Sequence, residues 1–229
     1  MIVYVGFAQP DEWADWARTY AAHAARFEEA AGGELCLVVP YHRMNRELVR
    51  RLRPDALVLS GFSRSWQDYD IRTMHPLGRC VLEEERIPLL ALCGGHQMVG
   101  FLFNGALLGA ERLCDEPMRP RRPGEPITNP DYHPDYYMER GFHELELRAD
   151  DPLFAGCGRP PVVLESHYCE VKVLPPGFRL LASTPECRIQ AMRHESRPLV
   201  SLQFHPEDYT DAFPDGRAIL RNFLGGIGR

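Results

Sequence analysis

The sequence predicts an α/β fold in which a mostly parallel open sheet carries helices on both faces. Short apolar runs without polar interruptions alternate with helical segments over residues 1–92. Strands that are apolar throughout are typical of a parallel sheet covered on both sides. The chain has 229 residues, 45% of them hydrophobic, and can therefore bury a sizeable core without disulfides.

The first half of the chain supplies alternating strands and helices. Its predicted strands are the apolar runs Ile2–Phe7, Leu35–Val39, Ala56–Leu59 and Leu89–Leu92. A helix is expected to begin after Pro10, because proline and the acidic residues that follow it favour a first helical turn. This helix should end near Ala31, where Gly32 and Gly33 follow. A second helix is expected over residues 72–86.

The second half is less regular. Its segment of about residues 115–140 contains six prolines and shows no strand or helix period, so we interpret it as an excursion from the fold. Strand-like segments resume after it at His143–Leu147, Val162–Leu164, Val171–Leu174, Arg179–Ala182 and Leu199–Phe204, before a last helix at Gly216–Leu224. We expect a smaller antiparallel portion here, and one domain spanning residues 1–229.

Composition argues against several classes of protein. The net charge of −6 and the pI near 5.9 make nucleic acid an unlikely partner. No apolar run approaches the ~20 residues that span a bilayer, and the N-terminal residues lack a basic leader, so we expect neither a membrane protein nor a signal peptide. The seven cysteines include no C-x-x-C pair, which favours a reducing cytoplasm. The single lysine, Lys172, lies outside any phosphate-binding loop motif.

A cysteine ends the fourth apolar run. Cys93 is flanked at two positions on either side by the small residues Ala91 and Gly95, the spacing of a nucleophile elbow between a strand and a helix. A thiol at a helix N-terminus lies in positive potential, which favours the thiolate, and the Gly94 amide is free to stabilise an oxyanion. The alternative is that Cys93 is a small buried apolar residue, as most free cysteines are.

Two other strand ends carry polar or small residues. After the last predicted strand, His205 and Glu207 project to the same side, so the carboxylate could orient the imidazole toward a thiol. After the third strand, Gly61 could expose the following backbone amides to a ligand. Each segment taken alone is also an ordinary turn. In a parallel sheet these ends meet at one edge, and we expect them to converge there with Cys93.

Together these residues resemble the class I glutamine amidotransferase family, the Cys-His-Glu triad glutaminases. The matching blocks, in the family's order, are Leu59–Phe62, Ile87–Gln97, Glu165–His167 with Val171 and Leu174–Phe178, and Gln203–Glu207. The resemblance implies a flavodoxin-like core with Cys93 as nucleophile, His205 as base and Glu207 as its orienting group. It further implies an oxyanion hole from the amides of Phe62 and Gly94, and no metal or cofactor.

The resemblance also implies the residues that contact glutamine: Gly61, Gln97, Ser166, Tyr168 and Cys169. The chain departs from the family's usual pattern at two places. Ala91 replaces a glycine, which the elbow tolerates because Ala91 is small. Phe62 and Ser63 replace a common Gly-Pro, which keeps a backbone amide but changes the shape of the loop.

Three functions fit these features. The first is a glutaminase that supplies ammonia to a separate synthase, since the chain has neither room for a synthase domain nor a phosphate loop. The second is a stand-alone hydrolase of γ-glutamyl amides or peptides, with a leaving-amine pocket lined by Tyr132, His133, Tyr136 and Tyr137. The third is a catalytically silent binding module on the same fold.

Overall fold

A computed structural model describes residues 1–227 of the chain. Its helices are α1 (Trp13–Ala30), α2 (Arg46–Leu52), α3 (His75–Glu83), α4 (Gly94–Phe103) and α5 (Asp215–Leu224). The strands of the first half are β1 (Ile2–Gly6), β2 (Cys36–Pro40), β3 (Ala56–Leu59) and β4 (Leu89–Leu92). Those of the second half are β5 (Glu139–Glu144), β6 (Glu146–Leu147), β7 (Val162–His167), β8 (Phe178–Ser183), β9 (Ala191–His194) and β10 (Leu199–Leu202).

The main sheet has eight strands in the order β2-β1-β3-β4-β10-β9-β8-β6. The five strands from β2 to β10 run parallel, and the remaining three continue the sheet in antiparallel pairing. A separate antiparallel pair, β5 with β7, forms a second small sheet. The predicted fold class, a mostly parallel sheet with a smaller antiparallel portion, is confirmed.

Two hydrophobic clusters cover the two faces of the main sheet. Alternate residues of each central strand face opposite ways, so Val3 and Leu57 belong to one cluster and Tyr4 and Val58 to the other. Helices α2, α3 and α4 contribute buried side chains to the first cluster, and helices α1 and α5 to the second. All residues of β1, β3, β4 and β10 are buried, as the uninterrupted apolar runs predicted.

The register of the parallel strands brings their carboxyl ends to one edge. Leu59 of β3 is opposite Ala91 of β4, and Leu92 of β4 is opposite Leu202 of β10. The segments that begin at Ser60, Cys93 and Gln203 therefore emerge side by side. This convergence follows from parallel pairing and positions the candidate site.

One predicted strand is wrong. Residues 171–174 form no strand, because only Val171 is buried, against Gly100 of α4, while Val173 is 63% exposed. The Asn104 side-chain amide donates to the Val173 carbonyl at 3.0 Å, and the two prolines that follow have no N–H with which to continue a ladder. Lys172 is exposed as expected, but it lies on this loop, where it pairs with Glu170.

The other differences concern boundaries. The segment predicted at His143–Leu147 divides into β5, which begins at Glu139, and the short strand β6. Strand β9 was not predicted. The proline-rich excursion contains no helix or strand before β5, and its only ladder-like contacts within residues 1–227 are two isolated bridges, Pro117 with Cys169 and Pro120 with Tyr136. None of the helices found between residues 1 and 227 combines the length and apolar character needed to span a bilayer.

Candidate active site

Cys93 occupies a strained turn between β4 and α4. It is the N-cap of α4, with φ of 47° and ψ of −104°, a conformation that L-residues rarely adopt. Such strain costs on the order of 1–3 kcal/mol and persists only where the surroundings enforce it. Here the Cys93 amide donates to the Leu202 carbonyl at 2.8 Å, and the Gly95 amide donates to the Ser60 carbonyl at 2.9 Å. The turn is therefore tied to both neighbouring strand ends.

The two glycines after Cys93 are required by close packing. A Cβ at Gly95 would lie 2.7 Å from the Cβ of Leu59, and one at Gly94 would lie 2.6 Å from the amide nitrogen of Phe62. Neither neighbour can retreat cheaply, since one belongs to a buried strand and the other is backbone. The small residues of the predicted elbow thus allow β4 and α4 to approach the loop that follows β3.

His205 and Glu207 are held by backbone and side-chain contacts. The His205 amide donates to the Leu164 carbonyl of β7 at 2.9 Å, and Glu207 lies in a short 3₁₀ turn, Pro206–Asp208. Helix α1 supports this turn, because Arg26 donates to the Glu207 carbonyl and the His23 Nε2 lies 3.2 Å from an Asp208 oxygen. The His205 Nδ1 lies 2.8 Å from the Glu207 Oε1, and Glu207 is 1% exposed.

The structure brings Cys93 and His205 together. A Cβ built at Gly61 would lie 3.2 Å from the His205 Cε1 and 3.9 Å from the Cys93 Sγ, so this glycine packs against both side chains. Burial alone would lower the pKa of His205, but the Glu207 carboxylate and then the Cys93 sulfur raise that pKa well above the ordinary value. The arrangement favours an imidazolium between a carboxylate and a sulfur.

A cavity of about 340 Å³ opens in front of Cys93. Seven of the predicted site residues line it, namely Phe62, Cys93, Gly94, Gln97, Ser166, Tyr168 and Cys169. Gly61 and His205 contact Cys93 from outside this lining. The cavity and the thiol are thus accessible to each other, as a nucleophile requires.

Two backbone amides border the cavity beside the sulfur. Gly94 is the first residue of α4, so its N–H has no partner within the helix. Among the hydrogen bonds of residues 1–227, the Phe62 amide donates to no acceptor. Both amides are therefore available to an oxyanion. The Phe62 side chain packs edge-on against Trp66 and Phe7, with ring centroids 4.2 and 4.5 Å away, which fixes the altered loop.

The predicted glutamine contacts differ in their surroundings. The Gln97 side chain accepts from the Trp66 indole N–H at 3.0 Å and donates to the Cys169 carbonyl at 3.0 Å, so it also braces the cavity wall. Ser166 is exposed and Tyr168 is buried. Burial, followed by the nearby Asp115 carboxylate, raises the pKa of the Cys169 thiol to about 12, which leaves Cys93 as the better candidate nucleophile.

Comparison with known proteins identifies the family. The model of the class-I glutamine amidotransferases matches residues 30–226. The chain belongs to this family.

Similar proteins within the family include glutamine-hydrolyzing subunits of a synthase. The chain is 31% identical over 183 residues to the glutamine-hydrolyzing subunit of GMP synthase from Pyrococcus abyssi, covering 77% of this chain and 78% of that protein. The corresponding protein of Thermococcus kodakarensis matches with the same identity and coverage. A solved structure described as a GMP synthase subunit of Thermoplasma acidophilum superposes with a TM-score of 0.69 at 24% identity, covering 98% of this chain and 92% of that chain.

A more distant structure shares the fold. The glutaminase domain of CTP synthase from Trypanosoma brucei, with bound acivicin, has a TM-score of 0.64 at 14% identity, with 95% of this chain and 90% of that chain covered. The resemblance read from the sequence motifs is thus confirmed at the level of family and fold.

Several cavity residues of this amidotransferase were not identified from the sequence. The Gln203 side chain is fully buried and donates to the Cys93 Sγ at 3.6 Å. Asp115 and Asn129 of the excursion line the cavity, together with Tyr132, which the sequence had suggested only for the second function. Nothing in the local pattern could have placed these residues, because the segment has no period from which a direction is read. The position of Gln203, next to the His-Pro-Glu block, was the one available signal.

Proposed function

We propose that this chain hydrolyses the side-chain amide of glutamine through Cys93 and delivers the ammonia to a separate synthase. The observation that carries the proposal is the alignment of Cys93, His205 and Glu207 at one edge of the sheet, with the sulfur facing a cavity. The similar archaeal proteins are named as glutamine-hydrolyzing subunits of GMP synthase, which supports a separate acceptor protein for this chain. Its seven cysteines are free, which suits the cytoplasm.

The first half-reaction forms a thioester. His205 takes the proton of Cys93, and the sulfur attacks the amide carbon of glutamine, forming a C–S bond. The amides of Phe62 and Gly94 donate to the developing oxyanion, each contributing on the order of 3 kcal/mol to lowering the barrier. His205 then returns the proton to the amide nitrogen, the C–N bond breaks, and ammonia leaves.

The second half-reaction restores the enzyme. A water molecule gives a proton to His205 and attacks the thioester carbon, and the C–S bond breaks to release glutamate and the Cys93 thiol. Glu207 keeps its contact with the His205 Nδ1 throughout, which holds the imidazole in the orientation that both transfers need. No step requires a metal ion or cofactor.

The decisive test measures covalent capture and turnover together. We expect a diazo-ketone analogue of glutamine to add one adduct to the chain, detected by intact mass, and we expect Cys93→Ala to remove it. Cys114→Ser, which changes an exposed thiol, is the matched control and should keep the adduct. A wild-type chain that gains no adduct and releases no glutamate would instead support the catalytically silent module.

The second candidate, a stand-alone γ-glutamyl amide or peptide hydrolase, has a specific observation in its favour. Asp115, Asn129 and Tyr132 extend the cavity wall beyond the residues that the motif blocks supply, so a leaving group larger than ammonia has lining to contact. His133 does not line this cavity but contacts Asp115 at 2.7 Å.

Substrate comparison separates the two candidates. Rapid cleavage of γ-glutamyl dipeptides with slow turnover of glutamine would favour the second, and Tyr132→Ala should then impair dipeptides more than glutamine. The opposite preference, with no effect of Tyr132→Ala, would favour the glutaminase.

A further inference from the structure

Three side chains of metal-binding type meet at the wall of the cavity. The ligand atoms of Asp115, His133 and Cys169 all lie within 4.8 Å of one another. Asp115 and His133 come from the proline-rich excursion, and Cys169 comes from the loop after β7. Asp115 and Cys169 also line the cavity that contains Cys93. The cluster therefore joins the excursion to the body of the fold next to the candidate active site.

The side chains of this cluster are buried and oriented. The Asp115 side chain is 2% exposed and that of His133 is 19% exposed, while Cys169 is 4% exposed. One carboxylate oxygen of Asp115 accepts from the Trp66 backbone N–H at 2.7 Å, which leaves the other to face His133 and Tyr132, at 2.7 and 3.0 Å. The tether to Trp66 directs the second oxygen into the cluster.

The backbone of His133 adds to this arrangement. It has φ of 50°, in the left-handed region that L-residues other than Asn and Asp seldom enter. Its ring also contacts Tyr132, with centroids 4.4 Å apart. The strained backbone thus directs the imidazole at a carboxylate and a thiol.

A sulfur, an imidazole nitrogen and a carboxylate oxygen are the three ligand types of protein-bound zinc. Calcium and magnesium instead require oxygen ligands alone. The Tyr132 hydroxyl, 3.0 Å from Asp115 and 3.7 Å from the Cys169 sulfur, borders the remaining position. We propose that Asp115, His133 and Cys169 form a Zn²⁺ site in the wall of the cavity.

Binding would exchange one set of partners for another. The ion replaces the hydrogen bond between Asp115 and His133, and Cys169 binds as the thiolate, its proton passing to solvent. The Cys169 carbonyl accepts from Gln97 and lies 3.0 Å from the His167 Nδ1, so an ion here is coupled to the wall that faces the substrate. We therefore expect the ion to narrow the cavity and to slow turnover. The sequence did not predict this site, because its ligands are far apart along the chain.

The experiment uses the full chain carrying Cys93→Ala, so that the candidate nucleophile cannot bind the ion. Zinc affinity is measured by competition with a chromophoric chelator, and bound metal by elemental analysis. We expect one Zn²⁺ per chain. Cys169→Ser and His133→Ala should each weaken binding by at least about 100-fold, since even partners outside the ligand set cost 10- to 100-fold. Cys114→Ser and His143→Ala, which change the same residue types outside the cluster, should leave the affinity unchanged.

A spectroscopic readout keeps the proposal testable if a variant folds poorly. Co²⁺ bound to the Cys93→Ala chain should show a thiolate-to-metal charge-transfer band that Asp115→Asn weakens and Cys169→Ser removes. The proposal fails if no stoichiometric binding occurs, or if the Cys169→Ser and His133→Ala chains bind as tightly as their parent. It also fails if zinc binds the unsubstituted chain but not Cys93→Ala, because the ion then sits at the candidate nucleophile. None of these results depends on whether glutamine is the substrate.

Discussion

The molecule contains two histidine–glutamate pairs that share chemistry but differ in setting. His205 lies 2.8 Å from Glu207, keeps 15% of its side chain exposed, and has the sulfur of Cys93 on its other side. His167 lies 3.0 Å from Glu139 and 3.2 Å from Glu165, and its side chain is 1% exposed.

The second pair is enclosed by other polar groups. Glu139 also accepts from the Thr184 hydroxyl and from the Gln190 amide, each at 2.6 Å. Burial opposes the charged form of His167, but Glu139 and Glu165 raise its pKa to about 10. This pair has satisfied partners and no nucleophile on the histidine, whereas His205 has one carboxylate partner and a sulfur. The comparison teaches that the open side of the imidazole, rather than the carboxylate behind it, distinguishes a candidate base from a structural ion pair.

Removing the sulfur should produce the largest effect on activity. Cys93→Ala leaves His205 and Glu207 in place but removes the bond-forming atom, so glutamate release should fall by roughly 10³-fold or more. A glutamate-detecting assay on the purified chain measures this, with Cys114→Ser as the thiol control. Retention of activity in Cys93→Ala would show that the His205 pair acts without this nucleophile, and the distinction between the pairs would fail.

Neutralising one carboxylate in each pair should separate activity from stability. Glu207→Gln should lower kcat by about 10²–10⁴, since the imidazole loses the group that orients it and stabilises its charge. Glu139→Gln should instead lower the free energy of unfolding by about 3–5 kcal/mol, because it leaves a buried charge without its partner. Turnover and denaturant unfolding of both variants are the measurements. A loss of kcat in folded Glu139→Gln equal to that of Glu207→Gln would contradict the assignment.

Crowding the catalytic pair should have a smaller effect. In Gly61→Ala the new Cβ would lie 3.2 Å from the His205 Cε1 and 3.6 Å from the Cys93 Cβ, so the two side chains must move apart. We expect kcat to fall by about 10- to 100-fold, the scale of a misplacement near 1 Å, with little change in melting temperature. Gly226→Ala is the matched control, because a Cβ there meets nothing within 4 Å. Equal activity in the two variants would argue against a direct contact between Cys93 and His205.

The buried pair should also leave a signature in the pH dependence of stability, the smallest of these effects. The pKa of His167 is raised to about 10, and burial raises the pKa of Glu165, so the folded state binds more protons than the unfolded state. The stability contributed by His167 is complete below about pH 6.5, the unfolded value, and is lost as the pH rises through about 10.

Unfolding measured across this range should therefore show stability falling with pH. The gap in unfolding free energy between the wild type and Glu139→Gln should narrow toward pH 10, because the partner that Glu139 stabilises loses its charge. A gap that stays constant would mean that His167 is neutral in the folded chain.

Much of the fold was readable from the sequence because its signals are local. The strands β1, β3, β4 and β10 are buried on both faces, so they are apolar throughout, and their limits agree with the predicted runs to within two residues. The elbow at Cys93 and the turn at His205–Glu207 were likewise visible, since each depends on neighbouring residues. The unpredicted strand β9 and the wrong strand at residues 171–174 arose where burial depends on a distant partner, such as Gly100 for Val171.

The composition of the cavity wall was not readable in the same way. Asp115 and Tyr132 lie in a segment with six prolines and no period, and only their contacts with Trp66 and Cys169 hold them at the cavity. The same applies to the buried pair, because Glu139, His167 and Gln190 come from three different strands or loops.

The sequence by itself determined the family, the parallel core and the chemical identity of a possible nucleophile, base and orienting carboxylate, because each is encoded in a run or a motif of neighbouring residues. Only the tertiary structure decided which histidine faces the sulfur and which is sealed among carboxylates. It also decided that the excursion lines the cavity. These outcomes depend on packing between segments far apart in the chain, where small differences in burial and distance set whether the same side chains react or merely hold the fold together.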